Sequence, residues 1–217
     1  MAIPEIPQEY FMEGLTALLE LEKDWIPTQP GSSLYIRPFM FASGTGFHAS
    51  PADEYKFLIA LAPSGAYFSG KVRVLIEETY ARAANGGVGY AKAGGNYAAQ
   101  FYPTKLAADK GYQQVVWTDD NNHEFIEEAG AMNIFVRIND TLITAPTSDR
   151  ILDGITRKSV IQLAKDNNID IEVGTVFPIV KKEIETYKYL FLTNKGLDNT
   201  KEALKYLELY KEKEEER

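Results

Sequence analysis

The chain has 217 residues, no cysteine and a formal charge of −8. That length suits one large domain or one and a half, enough to bury a substantial core, and the absence of thiols excludes disulfides and thiolate chemistry. The acidic balance argues against a nucleic-acid or anionic-membrane surface, though it says nothing of the charge inside a pocket.

The N-terminal stretch MAIPEIPQEY has no basic segment leading into an apolar run, and no segment reaches about 18 apolar residues. The expectation is a chain neither exported nor membrane-spanning, compatible with a reducing cytoplasm. Residues 8–23 place Phe11, Leu15, Leu18, Leu19 and Glu22 at helical spacing, with Trp25 and Ile26 just beyond. Pro27, Pro30 and Gly31 then break the pattern, so TQPGSS reads as a turn or linker. Residues 33–42, SLYIRPFMFA, read as a strand whose polar members are Tyr35 and Arg37. By themselves these are a core aromatic with a wet hydroxyl and a strand-end charge. Strands are predicted again at 55–62 and 72–77, with a glycine-rich loop at 43–51. His48 and His123 are the only histidines, so no metal-ligand constellation is expected.

Residues 85–100, NGGVGYAKAGGNYAAQ, set Lys92 between two glycine-rich shoulders. Glycines let a backbone come close to a ligand, at an entropic cost that a plain surface loop has little reason to bear. A lysine buried there or set beside a cation loses its proton more readily, and the free amine condenses with an aldehyde. The residues alone leave open the other reading, a solvated lysine in a flexible loop.

A helix is predicted over 97–110, a buried strand over 113–118, and a second strand over 131–138 following Glu127 and Glu128. Asn139 and Asp140 form a turn into a short strand at Thr141–Thr144. This alternation predicts a mixed α/β core, barrel-like or sandwich, rather than a bundle. The hexad ILDGIT at 151–156 leads into RKSVIQLAKDNN, a helix pattern. A helix starting after Gly154 turns the amides of Ile155 and Thr156 toward an anion such as phosphate, or is an ordinary glycine-led start. The tail reads as a further helix capped by Asn199 or Thr200, with Leu204, Leu207 and Tyr210 on one face and an all-charged end.

Four segments, SLYIRPFMFA, GYAKAGGNY, IEEAGAMNIF at 126–135 and APTSDRILDGITRKS at 145–159, stand in an order and spacing that resemble the fold-type-IV pyridoxal-phosphate enzymes, most closely the branched-chain amino acid aminotransferases. Each is weak alone and together they are specific, with the similarity running from about Ile6 to about Val173. The resemblance implies the large domain of that fold, a barrel-like mixed sheet with surrounding helices, over residues 31–173. Residues 1–30 would then be the end of the small domain and 174–217 a divergent C-terminal segment. It implies pyridoxal 5′-phosphate as cofactor, with Lys92 forming the covalent link and carrying the proton, Glu128 pairing with the ring nitrogen, and Tyr97 serving the phenolic oxygen. Ile155 and Thr156 would cradle the phosphate, and Tyr35 and Arg37 would border the substrate. Implied partners are an amino acid, a 2-oxo acid and a second subunit in a homodimer.

Two parts of the family pattern are absent: most of the small domain, and the helix and Gly-Thr-Ala type loop expected after IDIEV, where this chain continues GTVFPIVKKEIETYKYLFLTNKG. The leading expectation is transamination of branched-chain amino acids with 2-oxoglutarate in a reduced form of the enzyme. Beside it stand a natural or engineered domain that keeps the fold and binds the cofactor without turnover, and a lyase or D-amino acid aminotransferase on the same scaffold.

Overall fold

The computed structural model describes residues 2–65 and 72–176. The chain divides into two compact units, residues 1–69 and 70–217.

In the first unit, α1 (Gln8–Leu21) is followed by one 3₁₀ turn at Lys23–Trp25. Its half-buried positions near the 3.6-residue period are Phe11, Leu15, Leu18, Leu19 and Glu22, the face that the sequence pattern named. β1 (Ser33–Ala42) and β2 (Tyr55–Ser64) form an antiparallel ribbon from Ser33 opposite Ser64 to Ala42 opposite Tyr55. Pro38 is tolerated in β1 because a two-stranded ribbon has an outward edge that needs no N–H donor. The Phe11 ring lies 5.9 Å from that of Phe57, which seats the helix on the ribbon. No described residue of this unit is fully buried.

The second unit holds the core. β3 (Val74–Ile76), β4 (Gln114–Thr118), β5 (Ile126–Ala129) and β6 (Met132–Asn133) form one sheet in that order, with β3 parallel to β4 and the remaining pairs antiparallel. A second sheet joins β7 (Val136–Ile138), β8 (Thr141–Thr144) and β9 (Ile171–Val173). Strand alternation sends Val116 and Ala129 to one face of the first sheet, where they pack with Ile134, Val136 and Val176 in a common apolar cluster. Val115 and Trp117 point to the opposite face and pack with Ala107 of α2 (Gly94–Asp109). α3 (Ile155–Asp166) buries Val160 and Ala164 and contacts β9.

Three details depart from the expectations. α2 begins at Gly94 rather than 97, so the paired glycines form its first turn. Glu127 and Glu128 lie inside β5 rather than ahead of a strand. The stretch 131–138 is divided between β6, which pairs back on β5 across the turn at Gly130 (φ 55°), and β7, which pairs with β8 in the second sheet. The expected tail helix with Leu204, Leu207 and Tyr210 lies outside the described residues, as does most of the turn at 63–70. Among the described residues, no helix is long and apolar enough to cross a membrane.

Candidate active site

Glu128 is the centre of the second unit's polar chemistry. β4 and β5 lose register where Trp117 faces Glu128 and Thr118 faces Ile126, which leaves Glu127 as an extra residue. Such a bulge re-aims side chains beside a strand pair, and each acid here finds an arginine, half-buried Arg150 for Glu127 and buried Arg82 for Glu128. Glu127 accepts from Arg150 Nε at 2.7 Å and pairs with its Nη2 at 2.6 Å. Glu128, 2% exposed, has three partners: Arg82 Nε lies 2.8 Å from its Oε2, while Asn133 Nδ2 and the Leu152 amide donate to its Oε1 at 3.0 and 3.1 Å.

A carboxylate offers about four acceptor positions, two on each oxygen. Among the described residues, both positions on Oε1 are taken and one on Oε2 is taken, which leaves one acceptor position for a further donor. Burial pushes the Glu128 carboxyl up to about 7; the Arg82 charge and the Leu152 hydrogen bond oppose that rise, Glu127 adds to it and Lys92 opposes it.

Lys92 sits in the irregular segment ahead of α2, with Nζ 5.3 Å from the centroid of the Tyr97 ring. Its positive charge favours the ionised form of Glu128, the smallest of the influences on that carboxyl. The loop before it is pinned rather than free: Tyr90 N donates to Asp149 O at 3.0 Å, Gly86 N to Asp149 Oδ2 at 3.2 Å, and Asn96 Nδ2 to the carbonyls of Val88 and Ala91 at 2.8 and 2.9 Å.

Gly89 explains why this approach needs a glycine. A Cβ there would stand 2.5 Å from Ala83 Cβ, 2.7 Å from Asp149 O and 2.8 Å from Arg150 Cα. Gly89→Ala is therefore expected to lower stability by about 1–3 kcal/mol through overpacking. Gly94→Ala, with nothing within 4 Å of its added carbon, should not. Urea unfolding of the two variants checks this, and equal midpoints would contradict it.

At α3, Gly154 is the N-cap with extended backbone and no side-chain cap. A side chain at Gly154 would overlap Asn133 Oδ1, and Asn133 Nδ2 also donates to Leu152 O at 2.8 Å. One asparagine thus joins the Glu128 carboxylate to the segment leading into α3. Ile155 is exposed and Thr156 half-buried at the first turn. Arg157 is buried, donates through Nη2 to Ala145 O at 2.9 Å, and keeps Nε without a hydrogen-bond partner among the described residues.

The structure therefore sets the Lys92 ammonium over the Tyr97 ring, links Lys92 electrostatically to Glu128, and connects Glu128 to the segment that starts α3. Tyr35 and Arg37 belong to the first unit, where they share one face of β1 with the Arg37 guanidinium 4.9 Å from the Tyr35 ring centroid. Arg82, Asn133 and Arg150 carry the site's polar network and were missed from sequence. Nothing in TYARAANGG or in SDRIL separates an arginine that reaches a buried acid from a surface one; Asn133 and Arg150 do lie inside the motifs IEEAGAMNIF and APTSDRILDGITRKS, while Arg82 lies outside all four. His123 serves structure, with Nδ1 2.7 Å from Thr118 Oγ1.

The model of the amino-transferase class IV family matches residues 2–198. A probable branched-chain-amino-acid aminotransferase of Staphylococcus epidermidis is 44% identical over 176 residues, which cover 79% of this chain and 49% of that protein. The chain spans about half the length of the curated relatives it matches. Among solved structures, the Escherichia coli branched-chain amino acid aminotransferase superposes with a TM-score of 0.68 at 28% identity, covering 80% of this chain and 57% of that one. The branched-chain aminotransferase of the thermophilic archaeon Thermoproteus uzoniensis, solved with norvaline, gives 0.67 at 26% identity, with 77% and 55% covered. With a family match across most of its length and a mixed α/β fold shared with these enzymes, the chain belongs to the amino-transferase class IV family.

Proposed function

We propose that this chain binds pyridoxal 5′-phosphate at Lys92 and takes part in transamination of branched-chain amino acids with 2-oxoglutarate. The observation that supports the proposal is Glu128: a buried carboxyl with three of about four acceptor positions filled among the described residues, the last on Oε2, suits a single ring N–H. The donor set elsewhere fits the same group. Lys92 supplies an amine, Tyr97 beside it a phenol, and the glycine-led start of α3 a positive helix end for a phosphate. Relatives named as branched-chain aminotransferases support the substrate class.

When bound, the cofactor supplies an electron sink that labilises the substrate's Cα proton. The chain's own residues do the rest. Lys92 Nζ would hold the cofactor through its amine and would serve as the general base and acid for the substrate proton. Glu128 Oε2 would accept the ring N–H and favour its charged form by opposite charge. Tyr97 O–H would serve the phenolic oxygen, and the Ile155 and Thr156 amides would hold the phosphate.

The test is leucine-dependent conversion of 2-oxoglutarate to glutamate by the purified chain with added cofactor. Turnover supports the full proposal, cofactor bound at Lys92 without turnover reduces it to a binding domain, and neither binding nor turnover overturns it.

A further inference from the structure

We propose that Arg82 is a positioning residue whose one guanidinium fixes the Glu128 carboxylate and the loop that carries Lys92 in a single arrangement. The inference rests on Lys92 and Glu128 being the cofactor contacts proposed for them.

Arg82 is 8% exposed. Its Nε meets Glu128 Oε2 at 2.8 Å, and its Nη2 donates to Gly89 O at 2.9 Å and to the Arg150 carbonyl. Gly89 stands three residues before Lys92, in the loop held against residues 149–150. Arg82 therefore spans three places: the acid on β5, the loop ahead of α2 and the backbone after the 145–148 segment. Only a planar fork with several fixed N–H directions makes these contacts together; an ammonium is a single point charge.

Stability alone does not account for this pair. Burying two charges costs desolvation that an apolar pair of the same volume avoids, so a buried ion pair is weak ground for a stabilising role. The charges around Glu128 show what the arginine decides. Burial and Glu127 oppose ionisation, while Arg82, the Leu152 amide and Lys92 favour it. Glu127 itself is engaged by Arg150, which also lies 3.1 Å from Asp120. Even with Arg82 in place, burial holds the Glu128 carboxyl up at about 7; with Arg82 gone it rises further, and a protonated Oε2 would present an O–H where an acceptor is required.

The test uses the full chain without cofactor, with ¹³C-labelled glutamate and NMR titration of the Glu128 carboxyl. Arg82→Gln is expected to raise the Glu128 midpoint by about 1–3 pH units, the usual effect of losing a close opposite charge. Arg82→Lys keeps the charge, so its midpoint should stay near that of the parent chain. Lysine loses the carbonyl contacts, however, so pyridoxal 5′-phosphate should bind about tenfold more weakly, the scale of one lost buried hydrogen bond. An unmoved Glu128 midpoint in folded Arg82→Gln overturns the proposal. If Arg82→Gln does not fold, Arg82→Lys decides it, and parental cofactor affinity in that variant overturns it equally. Failure of the parent chain to take up cofactor at Lys92 would sink the functional reading instead, and the midpoint comparison, made without cofactor, would still judge Arg82.

Discussion

Replacing Lys92 by alanine is expected to abolish covalent retention of pyridoxal 5′-phosphate and to lower amine transfer by at least about 10²–10⁴-fold, the range for losing a positioned acid–base group. The fold should survive the change. Lys92 lies in an irregular segment and its described contact is the Tyr97 ring, so the loss of stability should not exceed about 1 kcal/mol. The leucine to 2-oxoglutarate rate, measured beside the thermal midpoint of the same sample, separates a chemical loss from an unfolded one. A variant with the parental rate would remove Lys92 from the mechanism.

Glu128→Gln should act differently. The amide keeps the size of the side chain but no longer balances a protonated ring nitrogen, so turnover should fall by about 10²–10³-fold, as for loss of one preorganised electrostatic contact. Covalent attachment at Lys92 should persist. The same substitution carries a pH signature in the cofactor-free chain. The folded Glu128 carboxyl is pushed up to about 7 from an ordinary value of 4.5. Between those values the folded state binds the proton more tightly than the unfolded state does. Stability is therefore fully present below about pH 4.5 and is lost as pH rises toward 7, by about 3 kcal/mol from this group. Urea unfolding at about pH 5, 6 and 7 should show that decline in the parent chain and a flatter profile in Glu128→Gln. Parallel profiles, or undiminished turnover in the variant, would contradict the role given to Glu128.

Much of the fold was legible because local pattern and tertiary environment agree. The half-buried face of α1 follows the apolar spacing of Phe11, Leu15, Leu18 and Leu19, and β1 occupies the whole of SLYIRPFMFA. The failures fall where function overrides pattern. Two adjacent glutamates do not look like a buried strand, since acids are poor strand formers and rarely enter a core unpaired. They are buried in β5 because Arg82 and Arg150, far from them in the sequence, reach them in space. No periodicity reports a pairing of that kind. The early start of α2 was hidden for a related reason: Gly94 and Gly95 weaken helix propensity, yet they sit in the first turn, where the cost is smallest.

Within the site, residue types were easier to name than their supports. A lysine among glycines and an acid before a glycine are visible as motifs. The reason Gly89 must be glycine, the backbone of Asp149 and Arg150 against it, is a contact between distant parts of the chain. The same holds for Asn133, whose amide joins Glu128 to Leu152. The sequence motif contains it, while its role comes from the turn at Gly130 that brings β6 back beside β5.

The most direct measurement of the central claim is borohydride reduction of the purified chain after incubation with pyridoxal 5′-phosphate, followed by peptide mapping. The account predicts a single stable label on the peptide containing Lys92, lost in Lys92→Ala and displaced when leucine is added before reduction. No label, or label scattered over surface lysines with Lys92 unmodified, would contradict it.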